Sequence, residues 1–130
     1  MKILNIILKI ILCLLLVSPI LGALGIFPPP TPDLYNTPQA FAFIDMLMQG
    51  KYITWMIAIV FAISIVLIAT KRTALAALLI LPITLNIIGF HLFLDGGLFT
   101  SGAIMADVLF VLNLYFLWQN RSRYALLWNA

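Results

Sequence analysis

The chain has 130 residues, of which 65% are hydrophobic and 8% are charged, and its mean hydropathy is +1.19. A soluble domain of this size needs a polar surface, which seven Lys/Arg, four acidic residues and one His cannot provide. The formal charge of +3 comes from basic residues clustered at a few positions, a pattern that encodes membrane orientation rather than nucleic-acid binding. Cys13 is the only cysteine, so one chain cannot form an internal disulfide or a Cys-based zinc site. The composition therefore predicts an integral membrane protein and excludes a cytosolic enzyme, a nucleic-acid binder and a disordered tail.

The first apolar segment covers residues 3–26 and is interrupted by Asn5 and Lys9. About 20 residues at 1.5 Å per residue cross a ~30 Å hydrocarbon core, so we interpret the segment as the first membrane crossing. A cleavable signal peptide is the alternative, because Lys2 precedes the apolar run and small residues lie near its end. The position of Lys9 and the length of the run favour the crossing.

A proline-rich loop and a short helix follow at residues 27–50. Four prolines between residues 28 and 32 predict an extended chain that leaves the membrane. Thr37 before Pro38 is typical of an N-cap with proline at the first helical position, and Gly50 marks the end of the helix. This helix is too short to span, so we expect it to lie at the membrane surface or to cap the bundle.

Three further crossings are predicted at residues 52–70, 74–94 and 103–119, followed by a tail at 120–130. The second connection is so short that the crossings on either side of it must be antiparallel neighbours. A turn at residues 95–97 precedes the last crossing. The fold class is thus an all-α membrane protein, with a four-helix transmembrane bundle in one domain and a short interfacial helix between helices 1 and 2.

Six of the seven basic residues fall at the N-terminus, the second connection and the C-terminus. These are Lys2, Lys9, Lys71, Arg72, Arg121 and Arg123. Lys51 is the only one on the other two connections. Basic residues accumulate on cytoplasmic segments, so we expect both termini in the cytoplasm and the protein in the inner membrane.

Polar side chains inside the apolar spans are the first candidates for chemistry, because they are costly in lipid unless they are partnered. By helical rise, His91 and Asp107 each lie ~5–6 Å below the outer surface and can form a pair that orients the imidazole. Asn86 and Asn113 lie near the midplane, where an amide–amide hydrogen bond between crossings three and four is the simplest prediction. Both amides can instead line a ligand cavity, and His91 can be a structural histidine of the interface.

Pro82 should bend the third crossing, because its ring leaves the carbonyl of Leu78 without a helical donor. The hydroxyl of Thr84, or a water molecule, can satisfy that carbonyl. No GxSxG, HExxH or phosphate-binding glycine motif is present, and one histidine with scattered aspartates does not make a metal site. The sequence therefore argues against an autonomous enzyme and against a bound metal.

The third and fourth crossings, with the residues around them, resemble the DoxX family of small bacterial membrane proteins. The resemblance runs through Phe27 and its prolines, Lys51–Tyr52, Pro82, Asn86, Phe90, His91, Phe93, Leu94, Asn113, Leu114, Tyr115, Arg121, Arg123 and Tyr124. Its most specific part is a proline followed after four residues by asparagine and after five more by histidine flanked by Phe. The resemblance implies a four-helix integral membrane protein, with relatives linked to quinone or thiosulfate oxidation, resistance to reactive quinones or redox defence complexes.

Our leading hypothesis is an accessory membrane subunit that binds a quinone or another small apolar ligand between its helices and works with a redox-enzyme partner. His91 and Asp107 would hydrogen-bond or exchange protons with a ligand oxygen, while Asn86 and Asn113 hold the helices around it.

The alternative is an assembly or structural factor without a ligand, which uses its helices and the region of Trp118, Tyr124 and Trp128 to stabilise other membrane proteins. A transporter is a third option, but four crossings without internal repeats would need a homo-oligomer to form a pathway.

Overall fold

The computed structural model describes residues 1–129, which fold into an all-α bundle. Its helices are α1 (Lys2–Ala23), α2 (Pro38–Gly50), α3 (Tyr52–Ala69), α4 (Thr73–Phe93), α5 (Ile104–Gln119) and α6 (Arg121–Trp128). Short 3-10 turns precede α2 and α5. Four helices, α1, α3, α4 and α5 with its preceding turn, are long and apolar enough to cross a membrane. The predicted fold class, a four-helix membrane bundle with a short helix between helices 1 and 2, is confirmed, and the chain is a multi-pass membrane protein.

The four long helices form a closed ring. α1 packs on α3, α3 on α4 and α4 on α5, and a smaller contact between α1 and α5 completes the circle. The core residues Leu16, Phe61, Ile80 and Phe116, one from each helix, are completely buried. α2 packs against α3 outside this ring.

The bundle has two chemically distinct ends. At the loop end, which carries the first and third connections, the backbone N–H of Asn36 donates to Oδ1 of Asp95 (2.8 Å). At the terminus end, which carries both chain termini and the α3–α4 turn, the Tyr124 hydroxyl donates to the carbonyl of Ala74 (2.7 Å). The basic residues at the chain termini and in the α3–α4 turn therefore share one end of the protein.

Local signals set several helix boundaries. The Thr37 hydroxyl accepts the N–H of Ala40 (3.1 Å), which confirms the predicted N-cap of α2. α1 ends at Ala23, three residues before the predicted boundary, because Gly25 adopts a positive φ of 76°. Between α2 and α3 the residue with positive φ is Lys51 (62°), so the chain turns from one helix into the next at that residue.

The predicted tail contains one more helix, α6, which the sequence pattern did not indicate. The Arg121 side chain donates to the carbonyl of Trp118 (2.9 Å) and lies over the indole ring, 4.2 Å from its centroid. These contacts and the Tyr124 hydrogen bond fasten the start of α6 to the bundle. The last residue of the predicted tail, Ala130, lies outside the described residues.

Candidate functional site

A fully buried polar layer joins α4 to α5. Asn113 is completely buried, its Nδ2 donates to the carbonyl of Ala77 (2.9 Å), and its Oδ1 lies 2.8 Å from the Thr84 hydroxyl. That hydroxyl is also 3.0 Å from the carbonyl of Leu81, so its single proton is shared between two acceptors. Both ends of the Asn113 amide are therefore satisfied inside the protein.

The predicted hydrogen bond between Asn86 and Asn113 is wrong. Thr84 faces α5, and Asn86 lies two residues further along α4, which is ~200° around the helix. Asn86 consequently faces away from Asn113 and is exposed at the surface of the ring. The predicted acceptor of Thr84 also differs, because its hydroxyl lies against the Leu81 carbonyl rather than that of Leu78.

Asn86 instead lines a cleft of ≈ 230 Å³ between α2, α3 and α4. The other residues that line this cleft are apolar: Phe43, Leu47, Ile53, Met56, Ile57, Pro82, Ile83 and Ile87. Within residues 1–129 the Asn86 side chain makes no hydrogen bond. The cleft thus presents one free amide, which can both donate and accept, in an otherwise apolar wall.

A second polar cluster lies at the loop end around Asp95. This carboxylate is only 2% exposed and accepts the backbone N–H of Asn36, while the Asn36 side chain donates to the Asp95 carbonyl (3.0 Å). The Thr37 hydroxyl donates to the carbonyl of Leu94. These three bonds attach the start of α2 to the end of α4.

The predicted His91–Asp107 pair is also wrong. Nδ1 of His91 lies 3.3 Å from Oδ2 of Asp95, one helical turn later in the same chain segment. The two atoms are close but do not form a hydrogen bond, and the buried Nδ1 has no hydrogen-bond partner within residues 1–129. Asp107 lies in the first turn of α5, where the helix dipole favours a negative charge, and forms no ion pair within residues 1–129.

Aromatic rings connect the Asp95 cluster to the cleft. The Phe90 ring packs against Phe43 (5.7 Å between centroids), which also lines the cleft, and edge-on against Tyr35 (6.3 Å). Burial, and secondarily the charge of Asp95, raise the pKa of the Tyr35 phenol. Phe90 of α4 therefore contacts both the segment before α2 and α2 itself.

Sequence reasoning treated Asp95 as a turn residue and missed its role at the α2–α4 junction. The turn itself is as predicted, since Gly96 and Gly97 adopt positive φ values of 87° and 103°. A Cβ on Gly96 would only reach ordinary contact with the Cβ of Asn36, at 3.4 Å, so it is the positive φ that favours glycine here. The spacing of four residues between His91 and Asp95 was the signal available in the sequence.

The four candidate ligand residues do not converge on one site. Asn86 lines the cleft, Asn113 is enclosed between α4 and α5, His91 borders Asp95, and Asp107 begins α5. Among residues 1–129 no group of three or more His, Cys, Asp or Glu side chains is placed to hold a metal ion. Comparisons of the chain with protein-family models, with curated proteins and with solved structures give no match.

Proposed function

We propose that the cleft between α2, α3 and α4 binds a small apolar molecule with a hydrogen-bonding oxygen, such as a quinone head group. The observation that carries the proposal is the unpaired amide of Asn86 in an apolar wall. Ligand pockets are typically mostly apolar with a few polar groups that fix orientation, which matches this composition. At ≈ 230 Å³ the cleft is smaller than the ~300 Å³ at which drug-sized pockets begin, and suits a single ring.

The amide chemistry fits a ligand that changes redox state. The Nδ2 group of Asn86 can donate to a quinone carbonyl, and its Oδ1 can accept from the hydroxyl of the reduced form. Low polarity around the amide strengthens either bond relative to water. No side chain lining the cleft can act as an acid, base or nucleophile, so any electron transfer belongs to a partner.

The biological role that we propose is therefore an accessory subunit of a redox-enzyme partner, as the resemblance to the DoxX family implies. We place the protein in an inner membrane with both termini in the cytoplasm, because six basic residues share the terminus end. His91 and Asp107 lie outside the cleft, and their contact with a ligand oxygen stays a prediction.

A structural or assembly factor without a ligand is the second candidate. Trp118 and Trp128, near the terminus end, are 67% and 88% exposed and offer large aromatic surfaces to another membrane protein. The Tyr124 hydroxyl is already bonded to Ala74 and is not available for such a contact.

Titration of the purified protein with a short-chain quinone distinguishes the two candidates. Asn86→Leu removes one hydrogen bond and should weaken binding about 5- to 10-fold, which corresponds to ~1–1.4 kcal/mol. Ile57→Trp fills the cleft and should abolish binding. Val66→Trp is the matched control, because Val66 lies on the exposed face of the same helix and outside the cleft. Unchanged binding by both cleft variants, or no binding by the wild-type protein, would overturn the proposal.

A further inference from the structure

The charges of this chain are strongly polarised along the bundle. All four acidic residues belong to the loop end: Asp33 and Asp45 precede α3, Asp95 follows α4, and Asp107 is in the first turn of α5. The terminus end carries six basic residues and no acidic one. A basic side chain buried in that half of the bundle has no Asp or Glu side chain among residues 1–129 of the same half as a partner.

Lys9 is such a residue. It is half-buried on α1, seven positions after the helix begins, which is ~10 Å along the axis. A lysine at this depth directs its ammonium group toward the headgroup region while its methylenes stay in the apolar layer. The α3–α4 turn, with Lys71 and Arg72, lies at the same end of the bundle.

Lys9 borders an open groove of ≈ 330 Å³ between α1 and the end of α3. The groove walls are apolar and include Ile6, Ile10, Leu14 and Val17 of α1 and Ile68 of α3. From Ile6 to Val17 the groove follows the helix for ~16 Å, about the depth of one leaflet of a ~30 Å hydrocarbon core. Its shape suits an acyl chain, and its one charged residue is Lys9.

We propose that this groove binds an anionic phospholipid, with an acyl chain between α1 and α3 and the phosphate at Lys9. The negative charge complements Lys9, since no Asp or Glu side chain lies in the terminus half of the described residues 1–129. Lys71 and Arg72 follow Ala69 of the groove after one intervening residue and add positive potential at the headgroup level. A zwitterionic lipid would fill the same groove without this charge complementarity.

This site is separate from the cleft at Asn86. The groove uses Ile68 and Ala69 at the end of α3, whereas the cleft uses Ile53 and Met56 at its start. Failure of one proposal therefore leaves the other unaffected.

Photocrosslinking in bilayers tests the lipid proposal with the full chain. The protein is reconstituted in phosphatidylcholine with a trace of phosphatidylglycerol that carries a diazirine in its acyl chain, and crosslinked peptides are mapped by mass spectrometry. Labelling of residues 6–17 should exceed that from the matching diazirine phosphatidylcholine at least about 5-fold.

Different substitutions test the headgroup contact at Lys9 and the binding of the acyl chain in the groove. Lys9→Gln should remove most of the excess of phosphatidylglycerol labelling over phosphatidylcholine labelling, and Lys71 and Arg72 account for the remainder. Lys51→Gln, at the loop end, should leave the labelling unchanged. Ala69→Trp fills the groove and should reduce labelling by both lipids, which tests the acyl-chain site independently of charge. Equal labelling by the two lipids in the wild-type protein, or full selectivity in Lys9→Gln, would overturn the proposal.

Discussion

Asn86 and Asn113 have the same side chain at similar membrane depth, yet their surroundings differ in every respect. Asn113 is completely buried between α4 and α5, and both ends of its amide are bonded to α4. Asn86 is exposed in the cleft beside α2 and has no partner within residues 1–129. A polar residue inside a membrane span is structural where the protein satisfies it and available for a ligand where the protein does not.

Truncation of the two asparagines should therefore have unequal effects on stability. Asn113→Ala should lower the free energy of unfolding by about 2 kcal/mol, because it removes two hydrogen bonds and leaves a cavity in the core. Asn86→Ala should change it by less than ~0.5 kcal/mol. Reversible unfolding in mixed micelles measures both values. If Asn86→Ala were as destabilising as Asn113→Ala, the distinction between the two sites would be lost.

The cleft at Asn86 is bordered by α2, which the Asp95 cluster attaches to α4. Asp95→Ala should lower the local opening free energy at residues 35–41 by about 1–2 kcal/mol, since the one hydrogen bond that the carboxylate accepts, from the backbone N–H of Asn36, is lost. Amide hydrogen exchange reports this change. Asp45→Ala is the control, because Asp45 bonds only to Gln49 on the exposed face of α2. Equal protection in wild type and Asp95→Ala would show that other contacts hold α2.

A double-mutant cycle tests the hydrogen bond between Thr84 and Asn113 in the buried layer. Thr84→Val and Asn113→Ala should show a coupling energy of about 0.6 kcal/mol, with an upper limit of ~1.7 kcal/mol for such pairs in membranes. The effects of Asn86→Ala and Asn113→Ala on the free energy of unfolding should be additive, because Asn86 lies on the face of α4 that points away from Asn113. Coupling in the second pair would restore the amide–amide bond that the structure excludes.

The smallest expected effect concerns Tyr35, whose pKa is raised mainly by burial and secondarily by Asp95. The stability contributed by the neutral phenol is present below its usual pKa of ~10 and is lost as pH rises through the raised value. Asp95→Asn should lower the pKa of Tyr35 part of the way. The ultraviolet absorbance of the phenolate measures it, with Tyr35→Phe to identify the signal. An unchanged pKa in Asp95→Asn would remove Asp95 as a cause.

Most of the architecture could be predicted from the sequence, because apolar length and flanking polar residues determine where a helix can cross a membrane. Residues 52–70 and 74–94 were predicted as crossings, and α3 and α4 occupy Tyr52–Ala69 and Thr73–Phe93. The N-cap at Thr37 was likewise predictable, because it depends on residues adjacent in the chain.

The contacts between helices could not be predicted, because sequence position gives the depth of a residue but not the rotation of its helix. Asn86 and Asn113 are close in depth, yet the face of α4 that meets α5 carries Thr84 and Ala77. The prediction that Asp107 is the partner of His91 is wrong for a related reason. Matching the two residues by depth favoured Asp107, whereas the observed neighbour, Asp95, lies one helical turn after His91 in the same chain segment.

One measurement tests the central claim directly: titration of a short-chain quinone while the side-chain amide resonances of Asn86 and Asn113 are followed by NMR, with each signal assigned by its alanine variant. The account predicts that the side-chain amide resonance of Asn86 shifts as quinone is added until it saturates, and that the chemical shift of the Asn113 amide does not change. A shift of Asn113 alone, or no shift of Asn86 at saturating quinone, would contradict it.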